Sequence, residues 1–153
     1  MISLIVAYDL NKGIGRNNSL PWKIQEDMKL FVEKTKNCNI IMGRNTWESL
    51  PKKPLKNRCN IVVSSTMKNS DDCFICSSLE EACHKSGNNA VIIGGSKIYQ
   101  KSLELNLVQK MYISRINDNY DCDVFFPKFD INDWEELSVD DYGKFLFYTL
   151  LKK

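Results

Sequence analysis

Apolar residues fall along this chain in short, nearly unbroken runs set between polar and glycine-bearing stretches. The runs at 2–8, 39–42, 59–63, 90–93 and 108–116 read as strands covered on both faces, because a strand with one wet face alternates and one buried on both sides does not. Phe74 to Cys76 adds a short strand. Trp134 to Val139 and Phe145 to Leu151, joined by Asp140, Asp141, Tyr142 and Gly143, read as a terminal antiparallel hairpin. Helical spacing fills the gaps. Ile24, Met28 and Phe31, at i, i+4 and i+7, predict one apolar stripe on a helix over 24–35. Ser78 to Glu81 matches a capping box opening a helix to about Ser86, and helices follow Gly43 and Gly95. Strands alternating with helices predict an α/β sandwich with a mostly parallel sheet. No repeat, linker or low-complexity stretch divides the 153 residues, so one domain over 1–153 is expected.

Composition narrows the function classes. The chain is 43% hydrophobic, which suits a real core. Its 21 basic and 19 acidic residues give a net charge of +2, which favours neither nucleic acid nor a membrane surface as partner. The first apolar run stops at Asp9, far short of a signal or spanning segment, and six cysteines without a secretory leader fit a reduced, cytoplasmic setting. Cys73 and Cys76 form a CxxC, yet no second pair completes a metal site. The one histidine, His84, has no nucleophile motif beside it, so triad chemistry lacks its base. The acidic stretch 117–133, with Asp121 and Asp123, could resemble a cation loop but lacks the EF-hand pattern. No metal is expected, and acid chemistry falls to carboxylates.

Three stretches carry candidate chemistry. The connection 9–23 is long for a compact domain, as lids and binding loops are, and Gly13 and Gly15 give it freedom. Its Gly-x-Gly opens no helix and lacks a third glycine, which excludes a Rossmann fingerprint. Pro21 pushes Leu20 towards an extended conformation, after which Asp27 borders the apolar helix stripe. Two strand, glycine, helix junctions, Gly43 with Arg44 and Thr46, and Gly94 with Gly95 and Ser96, offer free N–H groups to phosphates and suit the two ends of a dinucleotide. Ser64, Ser65 and Thr66 close the strand at 59–63, at whose start Arg58 could grip a carboxylate.

Taken together, the Ile14-Gly15 and Leu20-Pro21-Trp22 loop, Asp27 and Phe31, the Ile-Met-Gly-Arg-x-Thr-Trp-Glu-Ser run at 41–49, Arg58, the paired serines 64 and 65, the Ile-Gly-Gly-x-x-x-Tyr run at 93–99, and Phe126-Pro127 resemble dihydrofolate reductase over essentially the whole chain. The resemblance implies a central eight-stranded, mostly parallel sheet with about four flanking helices. It also implies NADPH as hydride donor, 7,8-dihydrofolate as acceptor, antifolates as inhibitors that bind the substrate site, and a monomer active in one-carbon metabolism.

Roles follow by the same resemblance. Asp27, with Ser114 as hydrogen-bond partner, holds the pterin's amino and ring nitrogens; Leu20 and Trp22 form the lid. Ile5, Val6, Ala7, Met28, Phe31, Ser49, Leu50, Lys53, Leu55, Ile93 and Tyr99 face the substrate, and Arg58 clamps its glutamate tail. Ala7, Gly13, Ile14, Gly15, Arg16, Asn17, Asn18 and Ser19 face the cofactor. So do Gly43, Arg44, Asn45, Thr46, Ser64, Ser65, Ser77, Gly94, Gly95, Ser96, Lys97, Ile98, Tyr99 and Lys101. Ser114 stands where threonine is usual in the family, Lys97 where arginine is frequent, and Asn45 where a basic residue is often found. A pterin- or nucleotide-binding module without catalysis, and a pyrimidine reductase of related fold, are the alternatives; Asp27, Trp22 and Arg58 argue against them.

Overall fold

The computed structural model describes residues 1–17 and 19–153; Asn18, expected on the cofactor side, lies outside the described residues. In chain order the elements are β1 (Ile2–Tyr8), β2 (Gly13–Gly15), α1 (Gln25–Thr35), β3 (Asn39–Gly43), α2 (Arg44–Ser49), β4 (Cys59–Val63), β5 (Phe74–Cys76), α3 (Leu79–Lys85), β6 (Ala90–Gly94), α4 (Ser96–Glu104), β7 (Lys110–Ile116), β8 (Val124–Phe125), a 3₁₀ turn (Ile131–Asp133), β9 (Trp134–Asp141) and β10 (Phe145–Lys152). Eight strands form one sheet in the order β5-β4-β3-β6-β1-β7-β10-β9. β10 runs antiparallel to both its neighbours, so the other seven share one direction.

That order sets where a ligand can sit. From β1 the chain crosses to β3 and moves outward, then returns at β6 and crosses β1 to β7. The two crossovers leave β1 and β6 in opposite directions, so a crevice opens beyond their carboxyl ends, at Ala7 and Tyr8 on one side and Ile93 and Gly94 on the other. Alternation along β1 sends Leu4, Val6 and Tyr8 to a core shared with Leu79 and Ala82 of α3 and Tyr99 of α4. Ile5 goes to the opposite core, with Trp47 of α2 and Phe31 of α1. Two helices thus cover each face, as the apolar strands require.

The structure departs from the sequence expectations in four places. Connection 9–23 carries β2, which pairs antiparallel with β8, and is thereby tied to the acidic stretch 117–133. In α1, Leu30 and Thr35 turn inward with Ile24, whereas Met28 is 52% exposed; the helix tilts its Met28 edge away from the core. At the start of α3, Ser78 accepts from the Glu81 N–H, but the Glu81 carboxylate takes the Ser77 N–H and hydroxyl instead of closing the box on Ser78. The final hairpin is longer than expected, eight residues to each strand, and absorbs an irregularity of register between Thr149 and Leu150.

Candidate active site

The crevice is built first from backbone. Where β6 hands over to α4, Gly94 has φ 137°, a conformation that disfavours any side chain, and the Gly94–Gly95 peptide is cis. A Cβ on either glycine would stand 3.2 Å from Thr46 Oγ1, and one on Gly43 would stand 3.1 Å from Ile98 Cγ1. The two glycine junctions therefore touch each other. The helices they open, α2 and α4, have no side-chain cap, so their first N–H groups are available to an anion.

Around this shelf the expected residues fare unequally. Ser96 is half-buried, while Asn45, Ser65, Lys97 and Lys101 are exposed. Arg44 Nε donates to Glu48 at 2.9 Å and Nη1 to the Thr66 hydroxyl at 3.1 Å, so its neighbour is Thr66 and not Ser65. The Ser64 oxygen already accepts the Thr66 and Met67 N–H groups, and the Ser77 hydroxyl donates to Glu81.

Five of the expected apolar walls, Ile5, Phe31, Leu50, Leu55 and Ile93, meet in one cluster on the α1–α2 side. Ala7 joins Trp22 in the neighbouring cluster. Two residues do not fit. Val6 points to the opposite face, into the α3–α4 core, because strand period two places it out of phase with Ile5 and Ala7. Tyr99 is buried in that same core; its hydroxyl sits 2.8 Å from the Ile5 carbonyl and 2.9 Å from that of Ile93. It ties β1 to β6 beneath the slot and leaves no free hydroxyl for a ligand. Ser49 is likewise occupied, donating to the Thr46 carbonyl, and Lys53 is exposed before the cis Pro54.

Asp27 lies in the first turn of α1. Loss of solvent raises its pKa above the ordinary 3.8, and the Ser114 hydroxyl, buried on β7, pulls the other way by stabilising the carboxylate. An acid so held prefers a ligand that brings hydrogen-bond donors or positive charge. Across the slot Arg58 donates through Nε to the Lys56 carbonyl and through Nη1 to the Thr35 hydroxyl, which itself donates to the Phe31 carbonyl. It has no carboxylate partner among the described residues. Two bonds thus fix its plane and leave the remaining N–H groups of the fork free. Thr35, fully buried at the end of α1, orients Arg58 and was not singled out by the sequence; nothing local marks a threonine at a helix end as buried.

Leu20 is 49% exposed, while Trp22 is 6% exposed, and its Nε1 is buried with no partner. At the start of the 9–23 connection sits Asp9, buried and also passed over by the sequence reading. Burial works against its charge, but the N–H groups of Tyr120, Gly13 and Asn11 and the Cys122 thiol hold the carboxyl below the ordinary range. Gly13 proves to be needed for close approach and not for freedom: a Cβ there would lie 2.4 Å from that of Cys122. Asp123 accepts the Asn17 N–H, and no cluster of His, Cys, Asp or Glu suited to a metal occurs among the described residues.

A sequence profile described as Dihydrofolate reductase matches residues 1–144. The chain belongs to the dihydrofolate reductase family. It is 37% identical over 149 residues to a dihydrofolate reductase of Ureaplasma parvum, covering 95% of this chain and 94% of that one. To that of Buchnera aphidicola it is 42% identical over 130 residues, 84% and 80% of the two chains. To that of Staphylococcus haemolyticus it is 37% identical over 142 residues, 91% and 84%. A cavity of about 470 Å³ bounded by Leu103, Pro127, Phe129, Trp134 and Lys152 contains none of the residues just described.

Proposed function

We infer that this chain reduces 7,8-dihydrofolate to 5,6,7,8-tetrahydrofolate with NADPH. The observation that carries this reading is the pairing of a desolvated carboxylate, Asp27, with a fixed, unpaired guanidinium, Arg58, at opposite ends of an apolar slot. Dihydrofolate has the matching polarity, with N–H donors on a flat pterin at one end and a glutamate at the other. Asp27 accepts the pterin's amino and ring N–H groups and draws the ring system towards protonation at N5. Phe31, Leu50 and Ile93 sandwich the rings and exclude water, and the Tyr99 hydroxyl holds the Ile5 and Ile93 strand ends that floor the slot.

The donor side fits a dinucleotide. The glycines of the β3–α2 and β6–α4 junctions leave a backbone shelf that any Cβ would fill, and both helices present uncapped N–H groups to it. NADPH, when bound, supplies the hydride that goes to C6 of the pterin; the chain's own part is to orient the two rings and to deliver a solvent proton to N5. Titration of the protein with NADPH and with dihydrofolate, followed by quenching of tryptophan emission, tests both halves. Saturable binding of each is expected, and the unreactive pair of NADP+ with dihydrofolate should bind together without mutual exclusion; exclusion of one by the other would contradict two adjoining sites.

Arg44 is the charge best placed for the 2′-phosphate. Its bond to Glu48 is exposed on both sides, 46% and 55%, and such pairs are weak enough to exchange for a phosphate. Arg44→Ala should therefore reduce the NADPH over NADH ratio of kcat/KM by about tenfold. An unchanged ratio would remove Arg44 from this role.

Thiols and metals take no part in this scheme. Cys73 and Cys76 have pKa values raised by burial, the opposite of an activated thiolate. EDTA, and the pair Cys73→Ser with Cys76→Ala, should leave turnover nearly intact; alanine suits the second because Cys76 is buried. A large loss with chelator would return the CxxC to the mechanism. No helix among the described residues is long and apolar enough to cross a membrane, and we place the enzyme in the cytoplasm as a monomer.

A further inference from the structure

We propose that Asp9 is a positioning residue that sets where the lid and Trp22 stand over the pterin slot, an inference that rests on the functional reading above. Its side chain is 0% exposed, and its two oxygens serve two different segments. Oδ1 accepts the N–H groups of Asn11 at 2.9 Å and Gly13 at 2.8 Å, on the lid side. Oδ2 accepts the Tyr120 N–H at 3.0 Å and the Cys122 thiol at 3.6 Å, on the segment before β8. One rigid carboxylate thus fixes the spacing between the two segments.

The fit is steric as well as electrostatic. A Cβ on Gly13 would stand 2.4 Å from Cys122 Cβ, 2.6 Å from its Sγ and 3.0 Å from Asp9 Oδ1, so the lid lies against Cys122 only because residue 13 has no side chain. Outside this buried node the segments are joined by backbone bonds, from the Leu10 N–H to the Asp118 carbonyl, from the Asp123 N–H to the Gly15 carbonyl and from the Phe126 N–H to the Lys12 carbonyl, and by the exposed bond from the Asn17 N–H to the Asp123 carboxylate. The node reaches the slot through Tyr120. Its amide is held by Asp9 and its ring centroid lies 5.1 Å from that of Trp22, whose unpartnered Nε1 is buried. Displacing Tyr120 therefore displaces Trp22, and small displacements of groups that orient reactants are costly in rate.

The test is Asp9→Asn, which keeps shape but sets an amide donor against one of the two sets of N–H and S–H donors. Single-turnover hydride transfer, measured well below the melting temperature, should slow by about 10- to 100-fold, with a much smaller change in KM for dihydrofolate. In the ligand-free protein, amide exchange at Gly13 and Tyr120 should accelerate together. Gly13→Ala should slow transfer similarly, and adding Cys122→Gly should restore it, since the clash is with that side chain. Hydride transfer at the parental rate in Asp9→Asn and Gly13→Ala, with only a lowered melting temperature, would overturn the proposal and leave Asp9 structural. Should Asp9→Asn fail to fold, the Gly13→Ala and Cys122→Gly pair decides alone. A parent protein that does not reduce dihydrofolate would instead refute the functional reading, and uncoupled exchange at Gly13 and Tyr120 would independently overturn the positioning role of Asp9.

Discussion

Asp27→Asn is expected to slow hydride transfer to dihydrofolate at neutral pH by about 10²- to 10⁴-fold, the range for losing a group that governs proton delivery, while binding changes modestly. Asparagine keeps the shape and much of the hydrogen bonding but not the charge that favours a protonated pterin. The deficit should shrink as pH falls towards the pKa of the substrate's own N5, because a pre-protonated ring no longer needs the carboxylate. In the parent enzyme the rate should fall as pH climbs above neutrality and protons become scarce.

The same substitution should raise stability while it lowers the rate. The folded-state pKa of Asp27 is raised above its ordinary 3.8 by desolvation, so the folded state binds more protons than the unfolded state across the window between the two values. Stability therefore falls as pH rises through that window, and the loss persists at neutrality. Asp27→Asn should accordingly melt higher than the parent at neutral pH and show no such gain below the ordinary carboxylate pKa. A variant with the parental rate at neutral pH, or with a deficit identical at every pH, would reduce Asp27 to a helix-face acid.

Arg58→Leu should raise KM for dihydrofolate by about 10- to 100-fold with a far smaller fall in kcat, since a charge-assisted contact contributes about 1.5–3 kcal/mol and the tail is remote from the reacting carbon. A pterin lacking the glutamate should show almost none of this loss. Thr35→Val, which removes the hydroxyl that receives Nη1, should reproduce part of the effect. Equal losses with both substrates would make Arg58 a structural residue.

Much of the fold was legible because its signals are local. Nearly unbroken apolar runs placed five of the seven strands of common direction, the Ser78 cap located α3, and glycines after β3 and β6 marked the shelf. What escaped was set by distant partners. β2 and β8 are three and two residues long and exist because each pairs with the other more than a hundred residues away, a match invisible in either segment. In α1 Ile24 and Phe31 pack inward as their spacing predicts, but Leu30 is buried and Met28 is not; the two are equally apolar, and the pattern alone cannot say which faces the sheet. Val6 was assigned to the slot with its neighbours although period two sends it to the other core. Asp9 and Thr35 were passed over because a lone acid after a strand and a threonine at a helix end are ordinary on a surface; their partners Tyr120 and Arg58 give them meaning.

The account's central claim is tested most directly by mixing the purified chain with NADPH and dihydrofolate and following cofactor absorbance and product mass together. Loss of NADPH that depends on dihydrofolate, matched mole for mole by a product two hydrogens heavier than the substrate, is the expected result. Tight binding of both compounds without that conversion would contradict it and leave the chain a binding module on a reductase fold.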